Sequence, residues 1–112
     1  MRGVFIRVLW MLLWALSVTP LARAADALIP VSTRSDVSTS YWWMPRDGAS
    51  ATVILFSGGG GGIGYRDGEP KSGNFLIRSR NEFAKAGFNV ALMGNPSDMP
   101  KLTPAFRQSP ER

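Results

Sequence analysis

Six of the seven residues from Gly58 to Gly64 are glycine, and they follow directly on the apolar run Thr52-Val-Ile-Leu-Phe56. Backbone without Cβ atoms reaches positive φ and brings N–H groups close to a negative ligand. The chemistry open to such a loop is anion or oxyanion binding by main-chain donors. Side chains that would complete a catalytic set are scarce. The chain has no histidine and no cysteine, so neither a Ser-His pair nor a Cys- or His-ligated metal site can be built from it. Ser57 and Ser72 flank the loop. With no base to activate either, both read as loop or capping residues rather than nucleophiles.

Three readings of the loop compete. A flexible spacer would join separate units and carry polar residues, whereas this run sits between an apolar strand and the approach to a helix. A dinucleotide site is suggested by Gly59, Gly61 and Gly64, which satisfy G-x-G-x-x-G. That fingerprint needs a helix opening at the loop to receive the pyrophosphate, and Tyr65 to Lys71, with Pro70, intervenes. Pro70-Lys-Ser72 also imitates the end of a P-loop, but Pro70 stands where a glycine is required. The third reading is an oxyanion hole, whose donors face the oxygen that turns negative in acyl transfer.

The elements around the loop set its context. Ile29 to Thr33 reads as a short extended segment and Val37-Ser-Thr-Ser-Tyr-Trp-Trp-Met44 as a strand, with Trp42 and Trp43 on opposite faces. Pro45-Arg-Asp-Gly48 is a turn, which makes Val37–Met44 and Thr52–Phe56 expected neighbours in the sheet. Thr52–Phe56 lacks alternation, the pattern of a strand covered on both sides. Ser72 or Asn74 caps a helix running to about Ala86, with Phe75, Leu76, Phe83 and Ala86 on its inner side. Gly87 ends it and Phe88–Met93 is the next strand. Strand, glycine loop, helix and strand form a βαβ unit. Gln108-Ser-Pro-Glu111 resembles a further helix start, with Ser109 as N-cap and Pro110 at N1; the expectation is a chain cut short.

Residues 1–24 read as a signal peptide. Arg2 and Arg7 precede the apolar stretch Val8–Val18, Pro20 breaks it, and Ala22-Arg23-Ala24 supplies the cleavage signal. The apolar core is shorter than the ~20 residues needed to span a bilayer. Cleavage after Ala24 predicts a secreted or periplasmic protein, touching the membrane only through its leader during export. The formal charge is +5, but removing Arg2, Arg7 and Arg23 leaves ten basic against eight acidic groups. These are scattered, so nothing points to nucleic acid. No cofactor is indicated. Residues 25–112 suffice for one small domain with a modest core.

Taken together, Val53-Ile-Leu-Phe-Ser-Gly-Gly-Gly-Gly-Gly62, Gly73-Asn-Phe-Leu-Ile-Arg-Ser-Arg80 and Phe83-Ala-Lys-Ala-Gly-Phe-Asn-Val-Ala-Leu92, with Pro96-Ser-Asp98, resemble a secreted bacterial α/β-hydrolase. The matching parts are that superfamily's third strand, oxyanion loop, first helix and fourth strand, with Val31–Pro45 as opening strands. Ser57 stands where many lipases and esterases carry a histidine before the loop. The resemblance implies an α/β fold: a partial α/β-hydrolase-like sheet in which N-terminal β strands precede a β-α-β unit. It implies that backbone N–H groups of Gly59 and Gly60 are oxyanion donors, within a register uncertainty inside Gly58–Gly62. It implies that residues 25–112 are the N-terminal part of the domain, ending before the G-x-S-x-G elbow. The nearest look-alike, Gly48-Ala-Ser-Ala-Thr52, lacks the last glycine and precedes a strand. The implied activity belongs to an intact serine-esterase-like parent acting on a small ester-like substrate; this chain alone is expected to be inactive. The alternative is a small secreted or periplasmic binding module that uses the glycine loop for an anion or Trp42–Trp43 for a partner.

Overall fold

The computed structural model describes residues 24–110, so the leader expected over residues 1–24 lies outside the described residues except for Ala24. The chain forms a small mixed α/β domain. Its strands are β1 (Ala27–Arg34), β2 (Val37–Met44), β3 (Thr52–Phe56), β4 (Tyr65–Arg66), β5 (Glu69–Pro70) and β6 (Asn89–Met93). Three short helices are α1 (Phe75–Arg78), α2 (Arg80–Lys85) and α3 (Pro104–Arg107). Among the described residues no helix is long and apolar enough to cross a membrane.

The main sheet runs β1-β2-β6-β3, with β4 and β5 forming a separate small hairpin. β1, β2 and β6 pair antiparallel in sequence, whereas β3 and β6 are parallel. The βαβ expectation therefore holds. The expectation that β2 and β3 are neighbours does not, because β6 lies between them. The turn after β2, with Gly48 at φ 70° and Ala49 N–H bonded to Arg46 O, ends the strand without folding the chain back onto it. The side chain of Asn89 instead accepts from Arg46 N–H at 2.8 Å, holding the start of β6 beside the end of β2.

Side chains alternate across a sheet, so the registers sort the strands into two faces. Leu28, Trp42, Leu92 and Leu55 form one cross-strand row, and Met44, Val90 and Val53 the next. Ile63, Ile77 and Ala84 close over these rows, with Leu76 and Phe83 at the margin. The opposite face carries the rows Ala27-Trp43-Ala91-Ile54 and Ile29-Tyr41-Met93-Phe56. Trp42 is thus a core residue while Trp43 stands on the other face, edge-on to Tyr41 at 6.4 Å.

The second face leaves β3 half naked. Leu55 is buried, but Ile54 and Phe56 are 56% and 64% exposed. The unbroken apolar run is not a strand covered on both sides: β3 is an edge strand with one apolar face uncovered among the described residues. The other edge, β1, is blunted by Pro30, which has no N–H to offer, and by a register irregularity between Ser32 and Arg34. β3 carries neither protection.

The helical segment also departs from expectation. Asn74 caps it through Leu76 N–H, and the Ser72 hydroxyl accepts from Asn74 N–H instead. At Ser79 the helix breaks in two: its hydroxyl bonds back to Phe75 O at 2.8 Å, and the Arg80 guanidinium takes Ile77 O at 2.8 Å. The inner side is Leu76, Ile77, Phe83 and Ala84, not Phe75 or Ala86, both of which are exposed. Gly87 at φ 93° closes α2 as expected, Gly87 N–H bonding Ala84 O and Phe88 N–H bonding Phe83 O.

Candidate functional site

The glycine loop leaves β3 at Ser57 and is tied down almost entirely through its carbonyls. Ser57 is 4% exposed, and its hydroxyl donates to Gly62 O at 2.9 Å, spanning the base of the loop. Gly61 N–H bonds Gly58 O at 3.1 Å. Leu102 N–H and Asn95 Nδ2 both donate to Gly60 O, at 2.7 and 2.9 Å. Arg107 Nη2 donates to Ser57 O and Gly59 O. A loop held this way is not a spacer.

Positive φ angles occur at Gly59, Gly61, Gly62 and Gly64. Gly61 shows why side chains are excluded: at φ 73°, a Cβ there would strike Asn95 Oδ1 and lie 2.7 Å from Leu102 Cδ1. The bonds just described consume acceptors and leave donors. Among the described residues nothing takes up the N–H groups of Gly59 and Gly60. Gly59 is exposed and Gly60 half-buried. The stem of Lys101 lies over Gly60, where a Cβ would sit 2.9 Å from its Cγ. The Lys101 side chain therefore lies beside the two main-chain donors, and Arg107 fixes the loop from its carbonyl side, an arrangement in which the donors can meet a negative oxygen.

The nucleophile half of an acyl-transfer site is not brought here. Ser57 is buried and its proton is committed to Gly62 O. Ser72 lies at the approach to α1, bonded through its own N–H to Ile63 O. The first helix opens only at Phe75, after the β4–β5 hairpin, so it does not continue directly from the loop as the dinucleotide fingerprint requires.

Sequence reasoning missed the segment that supports the loop. Thr103 caps α3 through Phe106 N–H, with Pro104 in its first turn. That Thr-Pro pair carries the same N-cap and N1 signal as Ser109-Pro110. Ser109 in fact closes the preceding helix, its hydroxyl donating to Phe106 O at 2.8 Å; a helix start reaching Glu111 would lie beyond the described residues. For Asn95 and Arg107 no sequence signal existed, because their roles arise only when the chain after β6 folds back onto the loop. No family model, curated protein or solved structure matches the chain.

Proposed function

We propose that this chain is the oxyanion-loop portion of a serine-esterase-like α/β-hydrolase, its N-terminal part, and that it contributes main-chain donors without turning over esters itself. The observation that carries the reading is the polarity of the loop's bonding: carbonyls are tied down while the N–H groups of Gly59 and Gly60 remain available beside Lys101 and Arg107. Donors fixed in advance of charge development are what acyl transfer requires, and one such donor is typically worth about 2.7–4 kcal/mol of barrier. The sheet order supports the same reading. With β3 as the fold's third strand and β6 as its fourth, the nucleophile strand would pair beside β3, and that edge is open among the described residues. Secretion or periplasmic residence is part of the proposal and rests on the composition of Met1–Ala24.

The second reading, a secreted or periplasmic binding module, is favoured by the same exposed main-chain donors with Lys101 beside them, which would hold an anion with no nucleophile at all. Two measurements test these readings. In a titration with phenylphosphonate, a tetrahedral anion, amide shifts should concentrate at Gly59 and Gly60, while p-nitrophenyl acetate turnover stays at background. Absent shifts, or robust turnover by this chain, would overturn the site. The DNA following codon 112 separates the two: G-x-S-x-G, then an acid and a histidine, in any frame, supports the hydrolase, and an unrelated gene weakens it.

A further inference from the structure

A cavity of about 250 Å³ opens against the edge of the core, lined in part by Ile63 of the glycine loop and by Asn95, which supports that loop, but including neither Gly59 nor Gly60. We propose that this cavity is a separate binding site for a neutral, polyhydroxylated ring of monosaccharide size. The inference is independent of the reading of the loop.

The walls separate into groups already used and groups left over. Thr39 Oγ1 donates to Gly94 O and Asn95 O, and Ser97 Oγ accepts from Ser38 N–H, so these two hydroxyls hold β2 against the chain leaving β6. The hydroxyls of Ser38, Ser40 and Tyr65 also line the cavity, and among the described residues they bond to nothing. Ser38 and Ser40 are two apart on β2 and therefore share one face of the strand. Three uncommitted hydroxyls, each able to donate and accept, meet the requirement of a ligand that offers both functions at several adjacent positions.

Charge and shape narrow the class. Among the described residues no Asp, Glu, Lys or Arg lines the cavity, so nothing on its walls would pair with a ligand's charge. Leu28 and Ile63 supply an apolar surface, and the Tyr65 ring is braced on Trp42 at 5.8 Å. A ligand with C–H faces and hydroxyl edges fits such a wall, whereas a purely polar or purely apolar molecule satisfies only half of it. The volume falls below the roughly 300–1,000 Å³ of sites for drug-sized ligands, which matches contact with a single ring.

Methyl β-D-glucopyranoside titrated into the 15N-labelled chain is the direct probe, with D-gluconate as the charged control. The expected result is saturable binding in the millimolar range, with shifts centred on Ser40, Tyr65 and Asn95, and at least tenfold weaker binding of gluconate. A Ser38→Ala/Ser40→Ala double variant should weaken binding about tenfold or more, one lost hydrogen bond being worth roughly that factor. Its amide spectrum should otherwise superpose on the parent's, since these hydroxyls hold nothing in place. Tyr65→Ala provides an independent variant on a different element. Shifts that do not saturate or fall elsewhere, equal binding of gluconate, or unchanged affinity in both variants would overturn the proposal. Loss of the folded spectrum in the double variant would also count against it, because the two hydroxyls would then be structural.

Discussion

One nitrogen of Arg107, Nη2, donates to two carbonyls of the glycine loop, that of Ser57 at 3.0 Å and that of Gly59 at 2.7 Å. The Gly59 carbonyl shares a peptide plane with the Gly60 N–H, so this contact sets the direction in which the Gly60 amide faces, while the Gly58 carbonyl, held by Gly61 N–H, does the same for Gly59. Hydrogen bonds from a charged donor contribute about 1.5–3 kcal/mol, and Arg107 is half-buried. Arg107→Met should therefore lower stability by roughly 1–2 kcal/mol, a fall of about 4–8 °C in Tm per kcal/mol for a domain of this size. Amide exchange at Gly61 and Leu102, whose N–H groups bond Gly58 O and Gly60 O, should accelerate at least tenfold while Val90 and Leu92 fall only with global stability. Equal acceleration everywhere would mean that Arg107 does not hold the loop.

Gly59 and Gly61 share a positive φ, 61° and 73°, but differ in their surroundings. A Cβ at Gly59 meets nothing within 4 Å, while at Gly61 it meets Asn95 and Leu102. Alanine at either position carries the left-handed backbone cost of about 1–2 kcal/mol. Gly61→Ala adds overpacking, typically another 1–3 kcal/mol. Urea midpoints should rank Gly61→Ala well below Gly59→Ala, and equal midpoints would show that the loop yields at Asn95.

Much of this domain was legible in the sequence because local rules decided it. The strand at Val37–Met44, the helix cap at Asn74 and the stop at Gly87 follow from side-chain chemistry within a few residues. The errors fell where a distant partner decides. Nothing local distinguishes an apolar strand covered on both faces from one at an open edge, and β3 is the second kind although its run of apolar residues predicts the first. The Pro45–Gly48 turn suggested that β2 and β3 adjoin, but β6 pairs with both through contacts some fifty residues distant from β2. The loop's amide donors could be anticipated from glycine alone. Their fixation by Asn95 and Arg107 could not, because those residues reach the loop only after the chain has crossed back.

The cap itself is measurable. Asn74 Oδ1 accepts from Leu76 N–H at 3.0 Å, and α1 has few residues over which to recover that bond. Asn74→Ala should cost about 1 kcal/mol, and Asn74→Ser only a few tenths. Thermal melts of the two variants check the difference. Identical losses would mean that the helix is held by Ile77 packing alone.

The open edge of β3 makes the last prediction. Its Val53 and Leu55 pack inward, whereas Ile54 and Phe56 are exposed on a strand with no proline, charge or bulge to deter pairing. At tens of micromolar the chain should self-associate, as read by sedimentation velocity. Ile54→Lys places a charge on the exposed face and should shift the protein towards monomer with a stability change within about 0.5 kcal/mol, as expected of a surface position. Leu55→Ala, one residue away and facing the core, should instead cost about 2–5 kcal/mol without relieving association. The contrast isolates the edge from general instability, since a merely marginal fold would associate more, not less, when either residue is changed. A parent chain that is cleanly monomeric and unfolds cooperatively would show that the β3 edge needs no partner, and would count against a nucleophile strand having its place there.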